Sequence, residues 1–328
     1  MLLGVAALLL LSLAAWLRFA NEPVAGIDAP LLPGLRGEFA ELSTLRVSAP
    51  GPEVVATLEL RGERWVVAER DDWPADTRRL RELLLMLAEA RRVEQRTSNP
   101  ALWHRLGVAP MEAEEASGIE LALETPSGPV TLLIGNVDGP YTNVRLVREP
   151  AAWLVSGVLQ PAGSTGEWLD PTIPDLTAGG IAAISIRHPD GEQVRLQHPP
   201  EGGAGFELLE IPEGRSPLHA NIAAATLGAL SALRIDELAR RESVFDGEHD
   251  PISIELETFE GETLRLRALV NDEGPWLSLD LPDAMEGHEG ALAASLQPLA
   301  GRALRIPRHR FDQLTRRMED LLAPVPAD

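Results

Sequence analysis

Cysteine is absent from this chain of 328 residues. That excludes disulfide staples, thiolate zinc centres, iron–sulfur clusters, cysteine nucleophiles and a lipid anchor on cysteine. Lysine is absent as well, every one of the 29 basic residues being arginine. A Walker A loop, a Schiff base and a lysine general base therefore have no residue to supply them. Positive charge as a whole is scarce: 50 acidic residues leave a formal charge of -21 and a pI near 4.7. Nucleic acid is held largely by neutralising its phosphates, so a surface of this sign argues against it, and equally against lying flat on anionic lipid. The nearest basic run, Arg302 to Arg317, is interleaved with Leu304, Ile306, Phe311 and Leu314 and reads as the solvated side of a strand and a helix. What the chain does have is 45% hydrophobic residues, enough for a packed core, over a length suited to two domains.

Met1 to Leu17 carry no charged side chain. As a helix they would span about 26 Å, slightly short of a ~30 Å hydrocarbon core. Trp16 sits where an interfacial aromatic belongs and Arg18 closes the run. A cleavable signal needs small residues shortly after the apolar run, and Leu17-Arg18-Phe19 offers bulky or charged ones. The expectation is an uncleaved single-pass anchor over residues 1–20, with the body outside the cytoplasm at the inner membrane. Residues 21–39, with Pro23, Pro30 and Pro33, read as an extended tether.

The body reads as two copies of one unit, about 140 residues apart and so unlike short-period solenoids. In the first, alternation marks strands at Leu45–Ser48, Val54–Leu60 and Trp65–Glu69. A helix follows with Leu80, Leu83, Leu84 and Leu87 on one face, leaving at Arg92-Val93-Glu94. In the second, Ile184–Arg187, Val194–Leu196 and Phe206–Glu210 precede a helix opened by Ser216-Pro217, with serine at the N-cap and proline at the first helical position. Leu123-Glu124-Thr125 with Gly128 matches Leu256-Glu257-Thr258 with Gly261, and Asp138-Gly139-Pro140-Tyr141 matches Glu273-Gly274-Pro275-Trp276. A last helix is expected near Trp168-Leu169 and again near Leu321-Leu322. The fold class expected is α+β: two tandem units, residues 40–178 and 179–328, of mostly antiparallel strands with a covering helix, behind one transmembrane helix.

Candidate chemistry is thin. None of the seven histidines forms a His-Glu-x-x-His signature. Asp246-Gly247-Glu248-His249-Asp250 has ligand-type side chains but reads as a solvated loop. Asp71-Asp72 suits the positive end of the helix that follows. Gly163–Gly166 and Gly202–Gly205 lack the spacing of phosphate loops; no Gly-x-Ser-x-Gly elbow surrounds any serine, and Ser156-Gly157 merely ends a strand. A hydrolase triad assembled from distant residues is the third reading behind two binding roles. The successive leucines Leu83, Leu84 and Leu85 leave little polar face, so the helix is expected to be buried. Trp73 and Trp103 are weak leads to an interface. No catalytic, cofactor-binding or metal residue is assigned.

Trp65 in its strand, Trp73-Pro74-Ala75-Asp76 before the leucine helix, Thr97-Ser98-Asn99-Pro100, Leu106-Gly107 and Glu167-Trp168-Leu169-Asp170 resemble the family of domain of unknown function 4340. The resemblance covers residues 40–178 most strongly, and Trp103-His104 departs from it. It implies membrane-anchored, exported proteins linked with auxiliary components of gliding-motility-type ABC transport systems, with no catalytic residue to carry over. The leading expectation is accordingly a non-enzymatic accessory or scaffold protein of a membrane complex, held by Met1 to Leu17. The alternative is an exported module that binds a ligand or envelope polymer in a groove between the two copies.

Overall fold

A computed structural model describes residues 26–177, 180–199, 205–219, 221–281 and 291–324. The chain divides into two compact units, Met1–Trp168 and Leu169–Asp328. In the first unit the strands are β1 (Thr44–Ala49), β2 (Glu53–Arg61), β3 (Arg64–Val67), β4 (Trp73–Pro74), β5 (Arg92–Thr97), β6 (Ile119–Thr125), β7 (Gly128–Asp138), β8 (Tyr141–Leu146) and β9 (Ala152–Ser156). They form one antiparallel sheet in the order β4-β3-β2-β1-β6-β7-β8-β9-β5. Strands β8 and β9, with the middle stretches of β2 and β7, are buried on both faces, as expected where a sheet is covered from two sides.

Helix α1 (Leu35–Glu38) is a single turn, whereas α2 (Thr77–Glu89) is the longest helix described. Its start is chemical: the Asp76 carboxylate accepts from the backbone N–H groups of Arg78 and Arg79, occupying two donors that the first turn leaves open. Asp71 and Asp72 do not do this; both lie in the left-handed region, and Asp72 pairs with Arg61. Asp76→Ala is therefore expected to cost about 1 kcal/mol of stability, measured by urea unfolding, while Asp72→Ala leaves the helix intact.

The helix connects opposite edges of the sheet, β4 and β5. Thirteen residues rise about 20 Å, while eight inter-strand steps would set the edges of a flat sheet roughly 38 Å apart. The sheet therefore curls around α2, and Leu80, Leu83, Leu84 and Leu87 are buried in its hollow. Beyond α2, the backbone of Leu31 N–H donates to Ala90 O and Asp28 N–H to Arg92 O, so the chain before α1 covers the start of the β5 edge. Leu31, Leu32 and Leu35 are buried there. From Gly26 onward the segment expected as a tether is thus packed into the first unit.

The second unit has β10 (Ile181–Arg187), β11 (Gln193–Gln197), β12 (Glu207–Leu208), β13 (Glu237–Arg240), β14 (Ile252–Thr258), β15 (Thr263–Asn271), β16 (Gly274–Leu279) and β17 (Arg302–Arg305). Their order, β12-β11-β10-β14-β15-β16-β17-β13, is that of the first sheet without its two-residue edge strand. Helix α4 (Ile222–Gly228) again joins the edges, and Ile235 N–H donates to Pro171 O as Arg92 N–H donates to Ala29 O in the first unit.

Two expectations are corrected. The fold of the described residues is two large antiparallel sheets with few helices, not the expected α+β arrangement. The residues expected to close each copy as a helix are a 3-10 turn at Thr165–Trp168 and short helices at Arg308–Leu314 and Met318–Leu321. The single-pass inner-membrane assignment is corrected to what the described residues show, which is that no helix among them is long and apolar enough to cross a membrane; Met1 to Leu17, where the anchor was expected, lie outside the described residues.

Candidate functional site

The two sheets differ on the face turned away from their crossing helix. In the first unit that face is covered. The connection between β5 and β6, with α3 (Trp103–Leu106) at its centre, packs Val108 and Met111 on Leu133 and Ala152, flanked by Trp103, Leu106 and Ala116. Strand pairing explains the choice: Glu120, Leu133, Arg145 and Ala152 lie in one row across β6 to β9. Gly118 and Gly135 let the backbones approach closely.

Arg145, one of two ionisable residues in that row, is only 4% exposed. Its Nε donates to Val108 O at 3.1 Å, and its guanidinium lies 3.8 Å from the centre of the Trp103 ring, a cation–π contact. Burial holds the Arg145 pKa below the ordinary arginine value, opposed by the charge of Glu120. Glu120 is shifted the other way: desolvation and then Glu112 raise its pKa, and Arg145 offsets part of this. A carboxyl whose folded pKa exceeds its unfolded value of 4.5 weakens the fold as pH rises through that window. Glu120→Gln is therefore expected to match the parent below about pH 4 and to gain stability relative to it above that, read from urea midpoints across pH. Equal midpoints at every pH would show that Glu120 carries no such cost.

In the second unit the connection after β13 is shorter. Helix α5 (Arg241–Val244) brings Val244 onto Leu269, Trp276 and Ala303, leaving the sheet face over β10, β11, β14 and β15 open. A concavity of about 480 Å³ lies there. Perfect alternation puts polar side chains outward: Ser253, Glu255 and Glu257 on β14, with Thr263, Arg265 and Arg267 on β15, are all exposed. Arg195 pairs with Glu210, Arg265 with Glu255 and Arg267 with Asp280, each at 2.9 Å. Gln193 Nε2 donates to Ser185 Oγ at 2.8 Å. Exposed pairs of this kind add little stability, so their effect is to hold charges in fixed places.

The residues weighed from the sequence lie elsewhere. Asp246 to Asp250 form an exposed loop in which Asp246 accepts from the Glu248 backbone. Among the described residues no group of three or more such side chains is placed to hold a metal. Ser164 is bonded to Glu167, and Thr165 donates to Val55 O. Ser156 Oγ accepts from Arg91 N–H, while Gly202 to Ala204 lie outside the described residues. His188 is buried at a turn whose Asp190 and Glu192 both pair with Arg317. His104 faces Glu115 at 3.4 Å. Trp73 is buried, and Trp103 is engaged by Arg145. The arginine rows of the second sheet went unnoticed in the sequence. Their signal was Leu264-Arg265-Leu266-Arg267, but which strands stand beside it is not written there.

These features define a protein of two curled antiparallel sheets, one with its outer face closed by a loop and the other with that face open and polar. The family model for a domain of unknown function (DUF4340) matches residues 65–252, more than half of the chain, and the chain belongs to that family. No curated protein and no solved structure matches it.

Proposed function

We propose that the chain is an accessory or scaffold protein that binds a protein partner and performs no chemistry of its own. The assembly that the family resemblance implies is an ABC-type transport system. The observation that supports the reading is the contrast between two sheets of equal strand order, one face covered by Val108 and Met111 and the other left open as a polar concavity. A closed face is complete within its own unit, whereas an open one is available to another molecule. A small-molecule pocket fits less well, since such sites are mostly apolar and this one is walled by residues such as Arg187, Gln197 and Glu257.

The test is photo-crosslinking in intact cells. Amine-reactive reagents are unsuitable because the chain has no lysine, so a photoreactive residue is placed at Gln193 or Gln197 on the open face, and at Asp312 elsewhere on the second unit. Recovery of a transport ATPase or permease from the open-face positions and not from Asp312 is expected. Failure to recover any transport component from either would remove the transport assembly from the reading.

A further inference from the structure

Building on that scaffold role, we infer that the open face of the second sheet docks an extended, carboxylate-bearing segment of the protein partner, seated between Arg187 and Arg267 over Ser253. The pairing registers put Gln193, Arg187, Ser253 and Arg267 in a single row across β11, β10, β14 and β15. Arg187 and Arg267 therefore stand two strands apart, about 10 Å between backbones, with the short serine side chain between them. The Arg187 guanidinium can give a carboxylate paired N–H bonds and Ser253 a third, while Arg267, held by Asp280, adds its positive charge from the far side.

Charge availability selects this row. Arg195, Arg265 and Arg267 each already hold a carboxylate. Arg187, exposed and lining the concavity, has no ion-pair partner among the described residues. Of the four arginines on this face it is the one without a carboxylate. The first unit shows that the sheet itself does not demand it. Leu45 pairs with Leu58 and Leu123 as Ile184 pairs with Leu196 and Leu256. On that alignment the first sheet carries Ser48, Thr57, Thr131 and Leu133 where the second carries Arg187, Arg195, Arg265 and Arg267. Four arginines have been placed on one copy of a shared framework, at positions where the other copy has none.

The partner's class follows from the rest of the face. Glu255 and Glu257 line the concavity together with Arg187, so a continuous polyanion would meet like charge. Its lining contains no aromatic ring on which a nucleobase could stack. A peptide with separated carboxylates meets neither obstacle, and Gln193, Gln197 and Thr263 can donate to and accept from its backbone.

The experiment uses the full chain and a fluorescein-labelled peptide of alternating glutamate and serine, followed by anisotropy. Binding that weakens with salt is expected, with at least about a tenfold loss in Arg187→Gln, in line with the loss of a charge-assisted bond. Arg187 has no ion-pair partner to lose, so this variant is expected to keep the parent's urea midpoint; Arg308→Gln, outside the concavity, should bind like the parent. Equal binding of the glutamine version of the peptide, or unchanged affinity in Arg187→Gln, would overturn the inference. So would a preference for a labelled single-stranded oligonucleotide or for inorganic phosphate. Peptide failure alongside intact crosslinking to a transport component rejects the docking chemistry alone; loss of the crosslink rejects the transport reading itself.

Discussion

Gly135→Ala should lower stability by about 3 kcal/mol, at the upper end of what overpacking costs. A Cβ at Gly135 would stand 2.0 Å from Leu106 O and 2.8 Å from Gly107 C, and one at Gly118 would stand 2.0 Å from Gly107 O. These neighbours are backbone atoms of the connection that carries α3, so no side-chain rotation can relieve the contact. The connection has to lift away, and lifting it withdraws Val108 and Met111 from Leu133 and Ala152 and the Val108 carbonyl from Arg145. Gly139→Ala is the control. That residue has φ +62 with open space around it, so alanine costs only its left-handed strain, roughly 1 kcal/mol. Urea midpoints for the two variants decide the matter. A Gly135 variant no worse than the Gly139 variant would mean that the connection does not lie this close.

Leu87→Ala should cost about 2–5 kcal/mol, the range for emptying a filled core site, while Met86→Ala beside it stays within about 0.5 kcal/mol. Leu87 is fully buried against the hollow of the first sheet, and Met86 is 38% exposed. The hollow is lined by strands hydrogen-bonded to one another, which limits how far the walls can close on the cavity and pushes the cost upward. Similar losses at the two positions would show that the helix face is assigned wrongly.

The leucine run illustrates how far the sequence could be read. Leu80, Leu83, Leu84 and Leu87 recur at helical spacing, so the face that α2 buries was visible in one dimension, because the 3.6-residue period belongs to the helix itself. Strands such as β14, with Ile254 and Leu256 inward, were visible for the same reason at period two. Asp71-Asp72 reads from the sequence as suiting the positive end of this helix, whereas Asp76 caps it; the left-handed backbone of Asp71 and Asp72 has no signature in composition. The expected α+β class failed because short apolar stretches after the sheet strands were read as full helices, where the first unit makes a single turn at Thr165–Trp168 and the second only the short helices Arg308–Leu314 and Met318–Leu321. A stretch of four residues is too short for periodicity to separate the two.

The open face marks the same divide at the level of function. Composition by itself excluded thiol and lysine chemistry, and net charge argued against nucleic acid, because side-chain chemistry is a local property of each residue. Strand alternation likewise placed Arg187, Ser253 and Arg267 on outward positions, each within its own segment. That they share one row depends on β10 pairing with β14 across more than sixty intervening residues, and on the crossing helix leaving that side of the sheet bare. Hydrogen-bond register between distant strands is settled by how the whole sheet closes over its core, and only the folded chain contains that information.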